Sequence, residues 1–173
     1  MALQPRKLMV HAFCVALLAG CVTTQKGGFE KAKTVDEAVA VRVHAAKQYL
    51  GNRDFVAAKR HLKSALELDD KSADVHDALA LTFRASGEQE LAEKHFRKAI
   101  SYGDGISRYR MNYASYLYNK QDYTAAERQL TLIADDSLYE RRESALILLG
   151  LTQLQVLEPE KAEQSFELSL IHI

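Results

Sequence analysis

The chain has 173 residues and a formal net charge of zero, with 27% charged and 47% hydrophobic residues. Its basic residues form no stripe or patch, which argues against a nucleic-acid-binding protein. Only two prolines occur in the chain. Because proline is the strongest helix breaker, this composition is compatible with an all-α fold after residue 34.

The first 20 residues are typical of a bacterial secretory signal. Arg6 and Lys7 precede an apolar run over residues 8–18, which is too short to cross a bilayer comfortably. The run ends in the sequence Leu-Ala-Gly-Cys at positions 18–21, which resembles a lipobox. In such signals the cysteine, here Cys21, is acylated and becomes the mature N-terminus. The alternative is a plain signal peptide with a chance cysteine.

Residues 21–34 are predicted to form a flexible tether from the lipidated cysteine. Acyl chains on Cys21 would supply a durable membrane anchor. The residue directly after Cys21 is Val22 and not an aspartate. By resemblance to other lipoproteins, this favours the periplasmic face of the outer membrane. Cys14 would be lost with the signal, so the mature chain could form no internal disulfide.

A repeat dominates residues 35–173. Small residues recur at steps of 34, 34 and 36 positions: Ala58, Ala92, Ala126 and Ala162. Four positions after each stands a bulky apolar residue: Leu62, Phe96, Leu130 and Phe166. A period of about 34 residues resembles that of tetratricopeptide (TPR) solenoids. We therefore expect a TPR-type solenoid of about four helical hairpins, at roughly 39–72, 73–106, 107–142 and 143–173.

Turn and cap residues agree with this phase. Asp54 and Asp122 are predicted N-caps of second helices, and Pro159 is expected in the first turn of the last helix. Gly87 should permit a tight reversal in the second repeat. The segment 34–37 is predicted as a capping box that opens the first helix.

The sequence contains no motif that indicates catalysis. None of the six histidines lies in an HExxH pattern, and there is no GxSxG, phosphate-binding loop or CxxC. We therefore predict no catalytic residue, no metal site and no cofactor, and a protein that is not an enzyme. Solenoids of this kind usually bind other proteins.

Tyrosines crowd the third repeat, and first-helix positions line the concave groove in TPR proteins. Exposed aromatic and arginine side chains beside an apolar floor suit peptide capture. The alternative is that many of the tyrosines fill the solenoid interior. The predicted groove residues are Leu81, Arg84, Met111, Asn112, Ser115 and Tyr118.

The chain also resembles a more specific family over nearly all of its mature part. The segments AKRHLKSALELDDKSADVHDALAL, MNYASYLYNKQDY and DDSLYERRESALILLGL, with the lipobox, are similar to the type IV pilus biogenesis lipoproteins PilF and PilW. The resemblance implies a pilotin, an anchored TPR adaptor that binds secretin subunits and promotes their outer-membrane localisation and assembly.

Two alternatives stay open at this point. One is another outer-membrane TPR lipoprotein, serving β-barrel assembly or recruiting envelope hydrolases. The other is the regulatory part of an enzyme whose catalytic domain follows residue 173. Members of the resembled family carry about six repeats, so we expect that this sequence is a C-terminally truncated form of a longer protein.

Overall fold

The computed structural model describes residues 34–171. The predicted signal, Cys21 and the tether up to residue 33 lie outside this range. The described residues form eight α-helices: α1 (Val35–Gly51), α2 (Phe55–Leu66), α3 (Ala73–Ala85), α4 (Gln89–Tyr102), α5 (Ser107–Asn119), α6 (Tyr123–Ala134), α7 (Arg142–Gln155) and α8 (Pro159–Leu170). Within 34–171 there is no strand, so the expected all-α hairpin architecture is confirmed.

The predicted N-cap bonds of Thr34, Asp54 and Asp122 are present. The side chain of Thr34 accepts the Glu37 amide, and those of Asp54 and Asp122 accept the amides three residues later. Each such bond satisfies one backbone donor that the first helical turn leaves without a partner. Pro159 is the first residue of α8, where its missing N–H costs nothing.

All four hairpins close with the same three-residue turn. The middle residue has a positive φ in each case: Arg53 (60°), Gly87 (83°), Gln121 (64°) and Leu157 (63°). The next residue donates its backbone N–H to the carbonyl five positions earlier, at 2.8 to 2.9 Å. This bond ends the first helix and turns the chain into the second. Only the second hairpin has a glycine at this left-handed position.

The first helices of the hairpins form one continuous layer. The backbones of α1 and α3, of α3 and α5, and of α5 and α7 approach within 8 Å. Among the described helices, no two of α2, α4, α6 and α8 do so. The first helices therefore form an inner layer, and the second helices form an outer layer with gaps between its members.

The repeated small and bulky residues form the core between the layers. The alanine ladder is buried throughout, and Leu62, Phe96 and Leu130 are fully buried. Burial of each large side chain contributes roughly 1.5–3 kcal/mol. Phe166 is only half-buried, in the last hairpin, where its ring lies so close to Gly150 that a Cβ there would be 2.6 Å from it. Further apolar side chains of this hairpin are exposed, with Leu157 at 87%.

Candidate functional site

The inner layer carries the residues that the sequence predicted for a groove. Arg84 is exposed, while Leu81, Asn112, Ser115 and Tyr118 are half-buried. Tyr118 packs edge-on against Tyr123, with ring centroids 5.4 Å apart. A role for these residues in binding stays a prediction.

Met111 is almost fully buried in the inner layer. Only 6% of its surface is exposed, and it packs in the core cluster with Ala80 and Ala114. Met111 therefore presents little surface to solvent, and its predicted role in the groove stays a prediction. Tyr113 and Tyr116 are buried as well, with the Phe96 ring within 5.6 Å of both centroids.

Asn112 links two neighbouring first helices. Its Nδ2 donates to both carboxylate oxygens of Asp77, each at 2.9 Å. Asp77 is 3% exposed, and its burial raises the pKa of this carboxyl, against the opposing effects of Asn112, Lys47 and Arg108. The amide donor of Asn112 is thus engaged within the protein and holds α5 to α3.

A recess of about 420 Å³ opens beside this link, at the inner face of the first two hairpins. Residues of α1, of the α2–α3 turn and of α3 line it, and Arg108 of α5 closes one side. Arg108 forms an ion pair with Asp74 at 2.8 Å. Lys47 and His44 are exposed at its wall, whereas Val39 and Val43 supply a buried apolar floor. The recess therefore offers charge and apolar surface together.

None of the six predicted groove residues lines this recess. Sequence reasoning missed Asp74, Asp77 and Arg108, although one pattern could have found them. The Arg108–Asp74 and Asn112–Asp77 partners are separated by 34 and 35 residues, which is one repeat. A hydrogen-bond donor side chain and a carboxylate at that separation indicate a contact between consecutive first helices.

The second hairpin also holds a pair of histidines, one on α3 and one on α4. His76 Nε2 lies 3.0 Å from the Asp70 carbonyl, and His76 Nδ1 lies 2.8 Å from His95 Nδ1. A carbonyl only accepts, so His76 donates from Nε2, and in its neutral form its Nδ1 accepts from His95. Burial lowers the pKa of His76, and burial together with His76 lowers the pKa of His95 to about 4. The pair is therefore neutral at pH 7.

The third hairpin places an arginine at the corresponding position. Arg110 Nε donates to the Gly105 carbonyl at 2.9 Å, and Nη1 donates to Gln129 Oε1 at 3.1 Å. Gly105 has a φ of 72°, and a Cβ there would lie 2.5 Å from Arg110 Nη2. The preceding turn is thus shaped around the guanidinium group.

The described part of the chain contains neither a group of metal-ligating side chains nor a membrane-spanning helix. Between residues 34 and 171, no three His, Cys, Asp or Glu side chains are grouped so that they could hold a metal ion. Over the same residues, no helix has the length and apolar character needed to cross a bilayer.

Comparison with known proteins gives close relatives. No protein-family model matches the chain. The type IV pilus assembly protein PilF of Pseudomonas aeruginosa is 36% identical over 168 residues, which cover 94% of this chain and 67% of that protein.

Two solved structures share the fold. One, from a study titled as the functional characterization of Pseudomonas aeruginosa PilF, matches with a TM-score of 0.74 at 36% identity, over 79% of this chain and 61% of that one. The other, of PilW, is described as a widely conserved type IV pilus biogenesis factor. It matches with a TM-score of 0.69 at 19% identity, over 78% and 61%. The chain thus spans about three fifths of each solved chain.

Proposed function

Since this chain belongs to the PilF family of TPR proteins, we propose that it is a pilotin of type IV pilus biogenesis. In this role it binds secretin subunits and promotes their localisation and assembly. The observation that carries the proposal is the 36% identity to PilF, which extends over 94% of the chain. The inferred activity is binding, and we propose no catalytic step.

The inner face supports a binding role in physical terms. The recess on the first two hairpins combines exposed Lys47 and His44 with the apolar floor of Val39 and Val43. Asp36, Asp69 and Asp74 line the recess as well, so a peptide segment that brings an apolar anchor flanked by charged side chains would use both features. Arg84 and Tyr118 then extend the contact along the inner layer toward the third hairpin.

We propose that the lipid on Cys21 holds the helical stack at the periplasmic face of the outer membrane. Multiple acyl chains would make that attachment durable, since each buried CH₂ contributes about 0.8 kcal/mol. Replacing Cys21 with serine should move the protein out of the outer-membrane fraction. Retention of the serine variant in that fraction would contradict the lipid anchor.

Affinity capture tests the partner. The full chain, with a photo-crosslinking residue at Lys47, Arg84 or Tyr118 in turn, should capture secretin subunits in piliated cells. The same group at Arg60, on the outer helix α2, is the matched control and should capture less. Deletion of the gene should abolish pili and multimeric secretin.

The outcomes separate the candidate functions. Capture of a β-barrel assembly component or an envelope hydrolase, with normal pili after deletion, would support a different outer-membrane scaffold. Equal capture of secretin at Arg60 and at the inner positions would contradict the inner face as the docking surface.

A further inference from the structure

The outer layer contains a depression that the inner-face function does not use. It lies between α4 and α6, has a volume of about 290 Å³, and is floored by α5. Its charged lining residues are three arginines, Arg97, Arg110 and Arg128, and it is lined by no carboxylate. We call this depression the arginine pocket.

The three guanidinium groups are held to different degrees. Arg97 Nε donates to the Tyr113 hydroxyl at 3.3 Å, and its Nη2 pairs with Glu93. Arg110 uses two of its five N–H groups on Gly105 and Gln129, which leaves three for a ligand. Arg128 is exposed and has no hydrogen-bonding or ionic partner among residues 34–171.

The local charge is positive overall. Glu93 is the acidic residue bonded at the rim, and it is shared between Arg97 and Lys120. Lys120 lies outside the pocket lining, so the pocket itself is lined by three arginines and no carboxylate. Ile100 and Leu117 add apolar surface to the walls. A pocket of this kind attracts an anion with some apolar character.

We propose that the arginine pocket is a second docking site, which binds a carboxylate-bearing segment of an acidic polypeptide. Guanidinium groups match carboxylates in a two-point geometry, and Arg110 is already oriented by its turn and by Gln129. The site is separate from the inner face, because it opens between two outer helices. A segment bound there leaves the inner recess free.

The neighbouring helix favours a polypeptide over an anionic membrane. On α8, the next outer helix, Glu160, Glu163 and Glu167 are all exposed. They occupy one face at helical spacing. An anionic membrane surface broad enough to cover α8 as well as the arginine pocket would be repelled by these carboxylates. A single narrow segment between α4 and α6 would contact the three arginines of the lining, while Glu93 at the rim is already bonded to Arg97 and Lys120.

Fluorescence anisotropy with a labelled peptide tests the proposal on the full chain. The probe is a peptide of alternating Asp and Glu with glycine ends, and its neutral counterpart carries Asn and Gln. The acidic peptide should bind at least about tenfold more tightly, and added salt should weaken its binding. Equal affinity for the two peptides would overturn the proposal.

Arg128→Gln provides the decisive variant, because Arg128 is exposed and its loss should leave folding unchanged. We expect about a tenfold loss of affinity for the acidic peptide, the size of one charge-assisted hydrogen bond. Arg128→Lys keeps the charge but loses the two-point geometry of the guanidinium group. Its affinity for the acidic peptide should lie between that of the unaltered chain and that of Arg128→Gln. Arg60→Gln is the matched control, since Arg60 occupies the same repeat position 68 residues earlier and does not line the pocket.

Further outcomes distinguish other anions. If Arg60→Gln weakens peptide binding as much as Arg128→Gln, the interaction is diffuse and the proposal fails. Inorganic phosphate and vesicles of phosphatidylglycerol and phosphatidylcholine serve as competitors. Displacement of the peptide by either at the peptide's own concentration would assign the pocket to a small anion or a membrane instead.

Discussion

In the second hairpin, His76 of α3 pairs with His95 of α4, whereas in the third hairpin Arg110 of α5 pairs with Gln129 of α6. Both pairs are 19 residues apart in sequence. In both, the first residue also bonds to a carbonyl of the preceding turn. The same two positions of the repeat thus carry two neutral histidines in one hairpin and an arginine with a neutral glutamine in the next.

The difference shows what each position can do. The histidine pair is packed against aromatic rings, with the ring of Phe83 5.4 Å from that of His95 and the ring of Tyr102 5.3 Å from that of His76. Arg110 and Gln129 instead line the arginine pocket. In the second hairpin the two positions pack against aromatic rings, and in the third hairpin they place a charged side chain beside a pocket.

The largest expected difference is in stability. His76→Ala removes a fully buried ring and leaves the His95 donor without its acceptor, which should lower the free energy of unfolding by roughly 2–4 kcal/mol. Arg110→Ala, at a half-buried site, should cost about 1 kcal/mol. Urea unfolding of both variants measures this, and equal losses would contradict the assigned roles.

The second difference is in pH dependence. Folding holds the pKa of His95 at about 4, below its unfolded value of 6.5. The unfolded chain therefore binds more protons than the folded chain between these pH values. The free energy of unfolding is consequently highest above pH 6.5 and falls as the pH is lowered toward 4. We expect a loss of roughly 2 kcal/mol at pH 4.5, with part of the effect screened by solvent.

Variants that exchange the pairs sharpen this test. The double variant His76→Arg, His95→Gln places the residue types of the third hairpin in the second. The slope of the free energy of unfolding against pH should then become shallower between pH 6.5 and 4.5. Thermal unfolding across that range gives the slope. If it is unchanged in the variant, the histidines are not its source.

The smallest difference lies in the turns of the same two hairpins. Gly87 and Gln121 share a positive φ, which only glycine adopts without steric cost. Gln121→Gly should stabilise the protein by up to about 1 kcal/mol, and Gly87→Ala should destabilise it by a similar amount. A lower unfolding midpoint for Gln121→Gly would contradict this reading of the turn.

Much of the fold could be predicted from the sequence because it depends on local and periodic chemistry. The alanine ladder placed the core between the helix layers, and Asp54, Asp122 and Pro159 marked helix starts correctly. Other turns could not be recognised, since Arg53, Gln121 and Leu157 adopt the glycine conformation without being glycine. At these three residues the packing of the helices on both sides of the turn imposes the unfavourable backbone conformation.

The sequence specifies the inner face in less detail than the core. The sequence indicated that first helices would line a groove, but Met111 is buried, and Asn112 is bonded to Asp77 in the neighbouring repeat. Whether a residue on such a helix reaches solvent depends on how closely two first helices approach. That distance is a property of the packed stack.

The sequence by itself determined the period, the helical hairpins, the buried small residues and the resemblance to the PilF family. All of these follow from residue type at fixed separations along one chain. Only the tertiary structure decided which polar groups pair across repeats and which remain available. It placed three arginines from α4, α5 and α6 around one pocket and paired two histidines in the hairpin before. Such groupings depend on distances between helices, which no separation along the sequence specifies.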